Sequence, residues 1–458
     1  MASQAREIKE ITFGKGKTKV IVDGFAFPNP FVRHYFLTHM HSDHTVGLRK
    51  SFASGLIWCS EAAANLLRHD FGLHNTQIIR SLPLNRTVTV AGGLQVTAIS
   101  ANHSPDAVMF VFDYRDGDAD TRVLHTGDMR WTSDMLGAAD GLLAKKPVDR
   151  LYLDTTYLNP RYTFPTQDAV VVAIGNWMRE QILAEPKTYF AFHSYHIGKE
   201  RAFFGAAEFL NMEIYVTPRK RAVLELLNLP ERWTRLMVRD PTSARIRVGG
   251  RVNEDEVHED VKKLGWARGV IIRPTGWSYR KSGPLVSSRV SAHGVIVASA
   301  PYSEHSNYTE VRDCVKALKP RRVIPTVGGA GDALVEKELI GLMDLKGDKR
   351  RIDSYFGAGR SVSKKIKEIP GDADAEGRLP RGSQSVIDLT SSPANANPED
   401  KLFDVARVDV AEQRRILEEL SSLNDRKYPN RANTPSVKGV GGGEAQKPSI
   451  FEQFFKRA

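Results

Sequence analysis

Cysteine is almost missing from this sequence: 458 residues contain two, Cys59 and Cys314, far apart in the chain. Two distant thiols exclude a disulfide framework and a cysteine-rich zinc site, so any bound metal must be held by histidine and carboxylate. The chain also lacks an apolar run long enough to span a bilayer, and its opening MASQAREIKE lacks the apolar segment of a secretory signal. A cytosolic or nuclear location with no membrane partner is therefore expected. Acidic residues are outnumbered, 54 Asp and Glu against 65 Lys and Arg, which leaves a formal charge of +11. That excess favours a polyanionic partner, because clustered cations gain affinity by releasing counterions from a phosphate backbone. A hydrophobic content of 41% is ordinary for a globular protein, and the length allows more than one domain.

Short strands separated by turns run from Ile8 to about Leu153: KVIVDGF, HYFLTH, LIWCS, LQVTAIS, VMFVFDY, RVLHTGD and RLYLDTTY. An alternating α/β stretch follows. Helices are expected over 166–183 and 199–210, and strands in TYFAFHSY, EIYVTP, IRVGG, GVIIRPTGW and GVIVASAPYSEHS. A helix over Tyr308 to Leu318 and a strand in RRVIPTV close the series. After about Gly347, Gly, Ser, Asp, Asn and Pro interrupt every apolar run, which predicts a mostly disordered C-terminal tail carrying one amphipathic helix, EDKLFDVARVDVAEQRRILEELSSL.

The densest chemistry lies at HYFLTHMHSDHTVGL, where a short apolar strand stops in His39-x-His41-x-Asp43-His44. Alternate residues of a tight loop point to different sides, so such a motif can serve two metals at once, and phosphodiester hydrolysis benefits from two ions about 3.5–4 Å apart. Further ligands must come from elsewhere. His103 in ISANHSPDAVMF, Asp128 in VLHTGDMR and His305 in APYSEHSNY each stand at the end of an apolar strand, beside small residues that allow close approach.

In order and spacing, THMHSDH, ANHSPDAVMF, HTGDMR, LYLDTTYLNPRYTFPTQ, YHIGKE, RPTGW and PYSEHS resemble the β-CASP branch of the metallo-β-lactamase nucleases, in particular the DNA-repair group that includes Artemis and Apollo. The resemblance covers roughly residues 8 to 335. It implies an α/β fold: a metallo-β-lactamase αββα sandwich (1–159), an inserted β-CASP α/β domain (160–290), a return segment of the sandwich (291–345) and a disordered tail (346–458). It also implies ligands. His39, His41 and His103 would hold one zinc, Asp43, His44 and His305 a second, and Asp128 would bridge them; Mn or Mg remain possible in place of Zn. Asp23 matches a buried aspartate that orients ligands, and Asp154 a further acidic position counted, with Asp43, Asp128 and His305, among the catalytic residues.

Val327 stands where RNA-cutting members carry a histidine, which favours DNA. Gly198 and Lys199 stand at an expected helix N-terminus, where free N–H groups and a mobile ammonium suit a 5′-phosphate, with Thr155, Ser194 and Tyr195 nearby. Arg219, Lys220 and Arg221, with Tyr279, Arg280 and Lys281 after Trp277, are candidates for a basic groove with stacking partners for bases. Two departures from the family stand out: Ser104-Pro105-Asp106 replaces the usual Cys-Pro-Gly and sets a carboxylate near the metals, and His196 replaces a serine beside the phosphate pocket.

The tail adds short interaction motifs. Val386, Ile387 and Leu389 in SQSVIDLTSSP resemble a SUMO-interacting segment that adds as a strand to a partner sheet. Ile352, Tyr355 and Phe356 in KRRIDSYF resemble a sliding-clamp-binding box, and Phe451, Phe454 and Phe455 repeat the spacing near the C-terminal residue. The expected activity is a zinc-dependent DNA-repair nuclease of the nucleus, a 5′-to-3′ exonuclease on 5′-phosphorylated ends in interstrand cross-link repair. A hairpin-opening or structure-specific endonuclease, a small-molecule hydrolase and a non-catalytic scaffold are the alternatives.

Overall fold

The computed structural model describes residues 8–345, apart from 17, 74–76, 118 and 328–330. Every tail motif named above lies outside the described residues.

The alternation of apolar residues along the first part of the chain builds two sheets that share a core. One holds β1 (Glu10–Phe13), β2 (Thr18–Val22), β3 (His34–Phe36), β4 (Leu56–Ser60) and β5 (Ile79–Leu82) in that order, antiparallel at β1–β2 and parallel thereafter. The other holds β6 (Thr87–Ala91), β7 (Leu94–Ser100), β8 (Val108–Asp116), β9 (Ala119–His125) and β10 (Arg150–Leu153), antiparallel up to β9 and parallel from β9 to β10. Their inner faces meet: Phe13, Val22, Phe36 and Trp58 of the first pack against Val96, Phe110, Phe112 and Val123 of the second. Such burial of large side chains is the main stabilising term, on the order of 2–3 kcal/mol each.

The outer faces carry helices. Glu61–Phe71 packs on β4 and β5, capped by the Ser60 side chain at its start and by left-handed Gly72 at its end. Tyr308–Leu318 lays Val311, Cys314 and Val315 on the far side of the second sheet, against Met109, Leu124 and Leu151. Layers of helix, sheet, sheet and helix are the metallo-β-lactamase sandwich.

Between β10 and that last helix the chain forms a third, mostly parallel sheet from β11 (Thr188–Phe192), β12 (Ile214–Val216), β13 (Met237–Val238), β14 (Ile246–Val248), β15 (Arg268–Pro274), β16 (Ser287–Val290) and β17 (Ile296–Ala300). Their order is β13-β12-β14-β11-β15-β17-β16, with β16 alone antiparallel to its neighbour. Parallel strands need crossovers, and the helices Glu200–Phe209 and Glu254–Leu264 supply two of them. This sheet takes in Ile296–Ala300, beyond the expected end of the insertion at 290. The GVIVASA run therefore belongs to the inserted domain, and the sandwich resumes with the next strand, β18 (Arg322–Pro325), which pairs in parallel with β10. No helix among the described residues is long and apolar enough to cross a membrane.

Candidate metal centre

Ends of strands in the sandwich, and of β17 in the inserted sheet, deliver titratable side chains to one place. His39, His41, Asp43 and His44 follow β3, His103 follows β7, Asp128 follows β9, Asp154 follows β10, and His305 follows β17. Three sets of ligating atoms lie within 4.8 Å of one another: His39, His41, His103 and Asp128; Asp43, His44 and Asp128; and Asp128, Asp154 and His305. Asp128 is common to all three.

Each histidine is aimed by its outer nitrogen. His39 Nδ1 lies 3.0 Å from Thr38 Oγ1, His44 Nδ1 2.7 Å from Asp23 Oδ2, His103 Nδ1 2.9 Å from the Glu304 carbonyl, and His305 Nδ1 2.8 Å from Asp154 Oδ2. His41 is reversed, with Nε2 3.1 Å from the Ile197 carbonyl and Nδ1 turned inward. The inner atoms converge: His41 Nδ1 stands 2.9 Å from His39 Nε2 and 3.1 Å from His103 Nε2. Asp128 Oδ2 lies 3.3 Å from His44 Nε2, 3.7 Å from His39 Nε2 and 4.0 Å from His305 Nε2. A tetrahedral centre with Zn–N bonds of about 2.0–2.1 Å has ligand-to-ligand edges of about 3.3–3.4 Å, and the 2.9 and 3.1 Å between ring nitrogens with the 3.7 and 3.9 Å from His39 and His103 to Asp128 Oδ2 bracket that length, so the donor set fits a divalent cation.

At His39 and His103 the electrostatics agree with that fit. Burial and the neighbouring His44, His103 and His41 rings push His39 well below the usual histidine range, and burial with His305 takes His103 down to about 3, so both rings are neutral donors. Burial opposes charge on His44, yet Asp23 and Asp128 carry its pKa well above the usual value. Burial also opposes ionisation of Asp128, but His44, His305 and His103 hold its carboxyl well below the carboxylate range.

The backbone is bent to make this possible. Asp23 sits in the left-handed region at φ 50° and is held there by Thr38, whose N–H and Oγ1–H both donate to its carboxylate at 2.8 and 2.7 Å. Gly127, at φ 54°, approaches Thr38 so closely that a Cβ there would lie 2.7 Å from the Thr38 Cβ.

Several expectations change in detail. Asp154, expected among the catalytic carboxylates, is buried and engaged: Oδ2 accepts the Met129 N–H and faces His305, while Oδ1 accepts the Thr156 N–H and Oγ1–H. Asp43 is the outward ligand candidate, with its side chain 75% exposed. The Asp106 carboxylate does not face the centre as a repelling charge; Oδ2 accepts the N–H of Met40, which lies between the ligand candidates His39 and His41, at 2.7 Å, and Oδ1 accepts from Ser104. It braces the loop.

A cavity of about 1190 Å³ opens over the centre, walled on one side by Asp43, His44 and Asp128 and on the other by Ser194, Tyr195, His196, Lys199, Arg219, Arg251 and Trp277 of the insertion. The expected mobile ammonium is not mobile. Lys199 is buried, with Nζ 3.0 Å from Glu304 Oε2 and its backbone N–H donating to Glu304 Oε1 at 2.5 Å. The Gly198 N–H donates to the Glu200 carboxylate at 2.9 Å. Ser194 Oγ, by contrast, is buried in the same wall without a hydrogen-bond partner among the described residues. Thr155 donates to the Val327 carbonyl, and both Thr326 and Val327 reach the cavity.

The expected basic groove dissolves for a similar reason. Lys220 is buried against Glu200 at 2.9 Å and Arg221 donates to the Val238 carbonyl, leaving Arg219 of that run at the cavity. Arg280 and Lys281 are exposed but do not line it, and Tyr279 packs on Phe164. His196 pairs with Asp70 at 2.8 Å across the cavity mouth. Sequence reasoning missed Glu304 and Glu200 altogether; Glu304 does sit inside the PYSEHS motif, next to His305, which was the available signal.

Residues 30–202 match a family described as Beta-lactamase superfamily domain, and residues 232–330 one described as DNA repair metallo-beta-lactamase. The chain is 36% identical over 304 residues to human DNA cross-link repair 1A protein, a match covering 64% of this chain and 28% of that one. It is 35% identical over 320 residues to DNA cross-link repair protein SNM1 of Arabidopsis thaliana, covering 66% of this chain and 62% of the relative. With the 5′ exonuclease Apollo of Gallus gallus the identity is 31% over 297 residues, covering 65% and 59%. The chain thus spans less than two thirds of the length of each of these relatives.

Proposed function

Since the chain belongs to the DNA-repair branch of the metallo-β-lactamase proteins, we propose that it is a metal-dependent DNA nuclease that degrades from 5′-phosphorylated ends. One observation carries the reading: the inward nitrogens of His39, His41 and His103 and the Asp128 carboxylate converge on the floor of a cavity large enough for a nucleotide and its neighbours. His39, His41, His103 and Asp128 would hold one zinc ion, and Asp43, His44, His305 and Asp128 a second. Bound there, the ions supply a nucleophile at neutral pH and neutralise the charge that develops on phosphorus oxygens. The protein's own residues set the stage. Asp23, Thr38, Asp154 and the Glu304 and Ile197 carbonyls fix the five imidazoles, so the ligands are in place before substrate arrives.

Ser194, Tyr195, Thr155 and the Gly198–Lys199 turn form the wall where a terminal phosphate would rest. The unpartnered Ser194 hydroxyl is the free donor there, and a phosphate reaching the Lys199 ammonium must share it with Glu304. A β-CASP domain clamping the sandwich, a nuclear location and docking of the tail motifs to a sliding clamp or to SUMO complete the proposal.

Single-stranded DNA labelled at its 3′ end, carrying either 5′-phosphate or 5′-hydroxyl, tests the reading with zinc-loaded wild type and Asp128→Ala. Shortening from the 5′ end that needs the phosphate and disappears in the variant is the expected result. Internal cuts indifferent to the 5′ group would replace the exonuclease with a structure-specific endonuclease, and full activity of Asp128→Ala would overturn the proposal.

A further inference from the structure

Trp277 is 65% exposed, an unusual state for a large ring lining the cavity that holds the candidate metal ligands. It is not loosely placed. Its 3₁₀ turn, Gly276–Ser278, follows directly on β15 and presses against Tyr157. Glycine at 276 permits that approach, because a Cβ there would stand 2.8 Å from the Tyr157 hydroxyl and 3.1 Å from the Ser303 Cβ. The Trp277 ring lies 4.9 Å from the Tyr157 ring and 5.6 Å from Tyr162, centroid to centroid. Tyr157 in turn lies 6.1 Å from the His305 ring, so Trp277 is one aromatic ring removed from the candidate metal centre. Tyr162 is itself held by the Arg161 guanidinium over its face and packs on Tyr157 at 4.9 Å. The platform is braced from behind and open to the cavity.

We propose that Trp277, backed by Tyr157 and Tyr162, is a stacking platform for one nucleobase next to the phosphodiester being cut. The inference rests on the nuclease reading and adds to it a specificity-determining contact. A polynucleotide whose phosphate reaches Asp128 must lay a neighbouring base against one of the cavity walls. The cavity lining offers cations for the backbone at Arg219 and Arg251, and at Trp277 a π face at a fixed place. Every base has such a face, so this contact selects a base over its absence without selecting a sequence. The ring is already packed on Tyr157 and Tyr162, and that packing lowers the conformational entropy lost on stacking.

The experiment compares wild type, Trp277→Phe and Trp277→Ala on 5′-phosphorylated single strands in which one residue near the 5′ end is intact or an abasic tetrahydrofuran, moved one position at a time. Binding is read by fluorescence anisotropy with metal chelated and cleavage with zinc restored; zinc content is measured for all three proteins. Wild type should lose about tenfold in affinity and in kcat/KM at a single abasic position, the scale of one stacked base. Trp277→Ala should lose a similar factor on intact DNA and be indifferent to that abasic position, Trp277→Phe should keep most of the affinity, and zinc content should be unchanged. Equal abasic penalties in wild type and Trp277→Ala would overturn the platform, as would intact-DNA binding untouched by the alanine. A wild-type protein that binds DNA with this Trp277 signature yet never cuts it would reject the nuclease reading and keep the platform.

Discussion

Glu304 Oε1 accepts the backbone N–H of Lys199 while its Oε2 lies 3.0 Å from the same residue's ammonium, and its carbonyl holds His103 at 2.9 Å. One residue after β17 thus pins the inserted domain and aims the ligand candidate His103. Glu304→Gln keeps the shape but leaves the Lys199 charge buried without its counter-ion. The expected loss is about 3 kcal/mol of stability, the scale for breaking a buried pair, read as a lower urea midpoint. Burial raises the Glu304 pKa, but Lys199 and His103 outweigh it and take the value down to about 2 from an ordinary 4.5. The depressed value means this contribution is fully present above the unfolded pKa and is lost as pH falls from about 4.5 towards 2. Wild type should therefore lose stability over that window more steeply than Glu304→Gln, and parallel pH curves for the two proteins would reject the assignment.

Asp23 holds His44 Nδ1 at 2.7 Å and touches no other ligand candidate. Asp23→Asn keeps the volume and removes the charge that favours the correct orientation of the ring. Zinc affinity should fall by about 10–100-fold, the usual effect of losing a ligand's outer partner. Competition with a chromophoric chelator measures it, with circular dichroism to show an intact fold. Unchanged affinity in a folded variant would mean that His44 needs no such support or binds no metal.

Gly127 joins β9 to Asp128 at φ 54°, with Thr38 packed where a side chain would go. Gly127→Ala should cost about 1–3 kcal/mol from backbone strain alone, with more from the contact. Because Thr38 also holds Asp23 and His39, the substitution should weaken metal binding along with the fold. A variant as stable as wild type would show that the turn relaxes at no cost.

Much of this arrangement was legible in the sequence, and the illegible part has a common cause. His39, His41, Asp43 and His44 lie within one loop, so their spacing alone announced a shared site. The helix Tyr308–Leu318 fell at its expected ends because Asn307 and Glu310 form a reciprocal cap, a signal four residues long. Lys199 was read as a free cation because its partner, Glu304, is 105 residues away, and Lys220 because a helix and a strand separate it from Glu200 in the chain. Charge runs show which residues are ionised but not which are already paired. The end of the inserted domain was placed early for the same reason: GVIVASA reads as a buried strand of either sheet, and only pairing with β15 assigns it.

Metal removal offers the broadest test. The centre packs His39, His41, His44, His103 and His305 around Asp128, with His41 Nδ1 only 2.9 Å and 3.1 Å from two other ring nitrogens. Nitrogens that close, without a proton for each contact, repel one another, and a cation between them converts repulsion into coordination. Zinc should therefore stabilise the folded chain by mass action, by about 2.7 kcal/mol when the free ion is at a hundredfold its dissociation constant. Thermal unfolding with buffered zinc should show the midpoint rising with the logarithm of free zinc in wild type. In Asp128→Ala, where the carboxylate shared by all three candidate ligand sets is gone, the rise should be much smaller. An equal zinc-dependent rise in both proteins would place the bound ion somewhere other than this centre.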